Sequence, residues 1–156
     1  MIDFSSQANK HEWPPILYAV TLAAAYVLER LLPLPSGWMP LWLRALGAAA
    51  AVAGIVFALI AVFTFLRART SVKPSARANT LVASGIYRVT RNPMYLAGVL
   101  FYAGLGLAWP ALWLVLLTPV MAVALDRLAI RREERHLESR FGDAFHSYCA
   151  QVRRWL

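Results

Sequence analysis

The chain has 156 residues, 60% hydrophobic and 15% charged, with a net charge of +8 and a mean hydropathy of +0.53. A soluble domain of this size carries about 25% charged residues, so the composition excludes an ordinary soluble globule and predicts an all-α integral membrane protein of one domain. In a polar chain the positive charge would suit nucleic acid; in one this apolar, anionic lipid headgroups are the expected partner.

Residues 1–12 include Asp3, Lys10 and Glu12, which is not the basic opening of a cleavable signal. The first predicted span covers about 14–32, where Glu29 and Arg30 can snorkel or pair. The second covers 43–66, and residues 45–66 carry no charge. Its Gly47, Ala48 to Ala51, Ala53 and Gly54 form a small-residue surface suited to close helix packing, within the chain or between two chains. Between Arg91 and Asp126 lie 34 uncharged residues, too many for one span of about 20. Trp109-Pro110 divides them into spans at 93–109 and 111–127. Each has about 17 residues, or roughly 25 Å of helix, short enough to require tilt or local thinning of the bilayer. Pro119 is expected to kink the fourth span. The tryptophans at 13, 38, 42, 109, 113 and 155 fall mostly at span ends, as an interfacial belt does.

The basic residues predict the orientation. The 67–91 loop holds Arg67, Arg69, Lys73, Arg77, Arg88 and Arg91, and the tail holds Arg127, Arg131, Arg132, Arg135, Arg140, Arg153 and Arg154. The loop between the first two spans has only Arg30 and Arg44 at its edges. The positive-inside rule then places the 67–91 loop and both termini in the cytoplasm.

Asn92-Pro93 is a helix-start signal, with Asn suited to the N-cap and Pro to the first helical position. The positive end of the third span therefore faces the cytoplasm, where free N–H groups can hold an anion. Tyr95 falls in the first turn, and Ser84-Gly85 reads as a turn before it. In the tail, Leu137, Phe141, Phe145, Tyr148 and Val152 recur at helical spacing, which predicts an amphipathic helix over 128–152 with a break near Gly142. Glu133 falls on the same stripe and Glu134 flanks it. A carboxylate on an inward face is costly without a partner; the local candidates are Arg131, Arg132, Arg135 and Arg140. His11, His136 and His146 show no metal-ligand spacing, so no metal is expected. Cys149 is the single cysteine, which leaves no intrachain disulfide.

The ordered set Asn79 to Tyr87, Arg91-Asn92-Pro93-Met94-Tyr95-Leu96-Ala97-Gly98, Glu133-Glu134, Phe141-Gly142 and Tyr148 resembles the isoprenylcysteine carboxyl methyltransferase and phospholipid methyltransferase superfamily. The likeness covers about 70–156. It implies an S-adenosylmethionine-dependent methyltransferase acting on a lipid-like or prenylated acceptor. It further implies that Thr80, Leu81, Val82 and Tyr87, then Asn92, Pro93, Met94 and Tyr95, then Glu133, surround the cofactor. On this reading Glu133 and Tyr95 hold the cofactor, Asn92 caps and orients the loop, and Arg131 or Glu134 is the catalytic contact to the acceptor.

The chain departs from the family in three places. Asn92 stands where the family often has His, and Arg153-Arg154-Trp155 where a Pro is common. Ala129 stands where the prenylcysteine enzymes carry the Arg that holds a substrate carboxylate. The last departure turns the expectation toward a phospholipid amine or another lipid-like acceptor. Membrane sterol reductases, which use NADPH, share a similar Arg-Asn-Pro-x-Tyr segment, but here Phe145 replaces the Trp of their Gly-x-x-Trp-x-x-Tyr pattern. A non-catalytic module binding anionic lipid is the third reading.

Overall fold

The computed structural model describes residues 13–67 and 81–156. Every element among them is helical: α1 (Trp13–Leu31), α2 (Leu41–Arg67), a 3-10 turn (Gly85–Arg88), α3 (Pro93–Ala108), α4 (Leu112–Leu125), a π-helical stretch (Asp126–Ile130), α5 (Arg131–Phe141) and α6 (Asp143–Gln151). Two helical runs are long and apolar enough to cross a membrane, Leu41–Arg67 and the continuous Leu112–Phe141. In the latter the uncharged part ends at Leu125. α3 is apolar but shorter, and α1 carries Pro14, Pro15, Glu29 and Arg30 within its 19 residues.

Side-chain bonds at the two ends show how the helices run. At one end Arg44, near the start of α2, donates to the Ala108 carbonyl at the end of α3. There also the Trp113 indole, near the start of α4, donates to the Leu32 carbonyl just past α1. At the opposite end Trp13 and Leu17 of α1 pack against Tyr95, Leu125, Ala129 and Ile130, and Arg132 lies over the Trp13 ring at 5.7 Å. The four helices therefore alternate in direction, and the motif loop, the π stretch and the tail gather at one end.

The small residues of α2 are used within the chain. A methyl group on Gly54 would lie 2.7 Å from the Ala97 carbonyl oxygen and 2.8 Å from the Phe101 nitrogen of α3. One on Gly47 would lie 2.6 Å from the Ala108 nitrogen. Glycine is required there because the two backbones touch. Another face of α2 is outward and apolar, with Val52, Ile55, Val56, Leu59, Ile60, Phe63 and Leu66 all exposed. A surface of this kind is covered by lipid or by a partner rather than by water.

Pro119 lies inside α4. The π stretch follows it where the apolar helix becomes the charged α5. The added residue per turn of a π stretch is common at functional sites, and here Leu125 and Ile130 are fully buried at its two edges. The break predicted near Gly142 is present. That residue separates α5 from α6 with φ +49° and ψ −123°, a backbone open essentially to glycine. The turn lets the tail fold back, and Leu137, Phe141, Phe145, Tyr148 and Val152 form one apolar cluster with Leu81 and Cys149.

Candidate functional site

The loop before α3 is held from three sides. Its 3-10 turn starts at Gly85, with φ +60°. Tyr87 is buried against Ala61 and Val82, and its ring meets Phe65 of α2 edge-on, 5.1 Å between centres. The Tyr148 hydroxyl of α6 donates to the Tyr87 carbonyl at 2.7 Å. Thr90, fully buried, accepts from the Asn92 backbone N–H at 3.2 Å and donates its hydroxyl to the Arg154 carbonyl at 3.2 Å.

Asn92 occupies the N-cap position of α3 with Pro93 next to it, but its side chain does not cap. The amide Nδ2 donates instead to the Arg154 carbonyl at 3.0 Å. This corrects the expected capping role. Asn92 anchors the loop to the C-terminal segment and leaves the first turn of α3 without a side-chain cap.

Within the first turn of the helix, the Tyr95 hydroxyl donates to Glu133 Oε2 at 3.1 Å. Thirty-eight residues separate the two in sequence. Burial pushes the Glu133 carboxyl above its ordinary value; the Tyr95 hydrogen bond opposes this and the neighbouring Glu134 adds to it. Tyr87 lies near enough for the Glu133 charge to act on its phenol. Burial raises its phenol first, and then the charges of Glu133 and Tyr148 raise it further. One phenol thus hydrogen-bonds a carboxyl whose charge burial disfavours, and a second lies within its electrostatic reach. An arrangement of this kind suits a cationic ligand, because a cation both neutralises the acid and rests against aromatic faces.

The remaining expected residues divide into two groups. Val82 and Met94 belong to the Tyr87 cluster, Leu81 packs in the tail cluster, and Pro93 is fully buried. Thr80 lies outside the described residues. Glu134 and Arg131, expected at the acceptor, each take part in ion pairs. Glu134 takes Arg91 at 3.1 Å and Arg154 at 2.6 Å. Arg131, half-exposed, places Nε 2.8 Å from Asp126 Oδ2. Arg91, Asp126 and Arg154 are the members that reading the sequence missed. Among the described residues no three His, Cys, Asp or Glu side chains are grouped to hold a metal.

Tyr95→Phe removes the hydrogen bond that favours the ionised Glu133, so this carboxyl is expected to ionise at higher pH in the variant. Infrared titration of its acid C=O band in the purified protein measures this, and an unchanged midpoint would remove the role given to Tyr95.

No solved structure matches the chain. A protein of Haemophilus influenzae described as uncharacterized is 43% identical over 37 residues, which are 24% of this chain and 59% of that protein. The match therefore spans about three fifths of the relative's length. The sequence profile of the phospholipid methyltransferase family matches residues 42–144. That range takes in α2, the motif loop, the hairpin of α3 and α4, and both members of the Tyr95–Glu133 pair. The chain belongs to the phospholipid methyltransferase family.

Proposed function

We propose that this protein transfers a methyl group from S-adenosylmethionine to a lipid-like acceptor at the cytoplasmic face of a membrane that it crosses four times. The family supports methyl transfer. The observation that carries the assignment to this site is the Tyr95–Glu133 hydrogen bond at 3.1 Å. The alternation of α1 to α4 and the basic residues gathered at the motif end support the orientation. Membrane lipids are then partners as well as solvent.

The residues present fit the cofactor. Burial disfavours the charged form of the Glu133 carboxyl, and an ammonium or sulfonium group beside it would favour that form. Arg91 Nε is buried and has no hydrogen-bond partner among the described residues, and a ligand carboxylate would supply one. It lies beside the uncapped first turn of α3, where N–H groups also favour an anion. When bound, S-adenosylmethionine supplies an activated methyl group. The chain's part is to hold the two reactants in line, and positioning of this kind supplies much of the rate. Tyr95 and Tyr87 orient Glu133 and shield it, while the acceptor arrives sideways from the bilayer. The site lacks a basic side chain at Ala129, itself buried, so an uncharged amine suits it better than an acceptor carboxylate.

Incubation of the purified protein with methyl-labelled S-adenosylmethionine and vesicles holding an aminophospholipid tests this directly, with a prenylcysteine analogue in parallel. Label in the aminophospholipid supports the amine assignment. Label in the prenylcysteine ester alone would overturn it, and no label in either lipid would remove the activity.

A further inference from the structure

The last five residues do more than end the chain. Arg153 accepts the Arg91 backbone N–H at 3.0 Å. The Arg154 carbonyl accepts from both Thr90 and Asn92. Trp155 packs against the cluster that contains Tyr95 and Leu125. The Arg154 guanidinium reaches the other way. Its Nε and Nη2 donate to the two oxygens of Glu134 at 3.1 and 2.6 Å, and Nη1 donates to Asp126 at 3.2 Å. One residue thus ties the loop that leads into Tyr95 to the helix that carries Glu133.

We propose that Arg154 is a positioning residue for Glu133: it neutralises and fixes Glu134, so that Glu133 alone carries the site's free negative charge, and its main chain sets the motif loop at the right distance. The role rests on the assignment of Glu133 as the carboxylate that meets the cofactor's cation. Two adjacent acids on one helix turn repel each other, and each raises the proton affinity of the other. Glu134 is only 16% exposed, so solvent screens this repulsion weakly. Tyr95 from α3 hydrogen-bonds Glu133, and Tyr87 from the 3-10 turn and Glu134 on its own helix lie within its electrostatic reach; Arg91 and Arg154 pair with Glu134, and Arg154 also with Asp126. Loss of Arg154 leaves Glu134 with Arg91 and Asp126 with Arg131, so the network beside Glu133 gives up one positive charge and Glu134 loses its two-point hold.

Infrared titration of the cofactor-free full chain tests this, with the Glu133 band assigned by its loss in Glu133→Gln. Arg154→Gln is expected to raise the Glu133 midpoint by about one pH unit. Arg154→Gln combined with Glu134→Gln is expected to return it to the wild-type value or below. An unchanged midpoint in the single variant, or no return in the double one, would overturn the proposal. Glu134→Gln alone covers the case in which Arg154→Gln does not fold. Its midpoint is expected below wild type, and an unchanged one contradicts the charge coupling. S-adenosylmethionine affinity measured on the same samples separates the two claims. Wild-type protein that binds none refutes the methyltransferase reading, whereas the infrared midpoints still decide the role of Arg154.

Discussion

Glu133→Gln is expected to weaken S-adenosylmethionine binding by about ten- to hundred-fold, the worth of about 1.5–3 kcal/mol for a contact to a charged group. The same substitution should leave the unliganded protein as stable as the wild type, or more so. Glutamine still offers an oxygen to the Tyr95 hydroxyl, and it removes a carboxylate that burial disfavours. The direction with pH follows from the raised proton affinity. A carboxyl whose folded value lies above its ordinary 4.5 contributes stability in the protonated form. That contribution is complete below the unfolded value and is lost as pH rises through the folded one. A cationic ligand needs the ionised form, so its affinity should rise over that same window and then level off. Thermal unfolding with and without ligand across pH measures both trends. A Glu133→Gln protein that binds as well as wild type, with the same pH dependence, would take the carboxylate out of the site.

Gly54→Ala is expected to cost about 1–3 kcal/mol or more, the range for overpacking a close contact. The added methyl would meet the backbone of Ala97 and Phe101 at 2.7 and 2.8 Å. Backbone atoms have no rotamer to change, so α3 itself would have to move. α3 carries Tyr95 in its first turn, and displacing it from α2 should also loosen the Tyr95–Glu133 contact. Activity and unfolding temperature are therefore expected to fall together. Gly37→Ala serves as the control, because nothing lies within 4 Å of a methyl group there. Equal stability of the two variants in detergent would show that the α2–α3 contact is looser than described.

Much of this arrangement is legible along the chain. Uncharged runs mark α2 and the α3–α4 hairpin, Trp109-Pro110 marks their division, and a helical stripe marks the tail with its break at Gly142. The likeness to the family points to Tyr95 and Glu133, which the fold then brings to hydrogen-bonding distance. The ion-pair network was not legible. Local spacing offers Arg131, Arg132, Arg135 and Arg140 as partners for Glu134, whereas Arg91 and Arg154 take it. Those pairings depend on how the tail folds back after Gly142, and no periodicity encodes that. Asn92 has the composition of a cap, but the Arg154 carbonyl lies within reach and competes for its amide. The glycines of α2 announce a close contact without naming its partner. Only the path of the chain assigns that contact to α3.

The most direct measurement is calorimetric titration of the detergent-purified protein with S-adenosylmethionine, its demethylated product and NADPH in parallel. Binding of the first two is expected, with Glu133→Gln weakened toward S-adenosylmethionine, and no binding of NADPH. Binding of NADPH alone would contradict the methyltransferase reading and move the site to reductase chemistry.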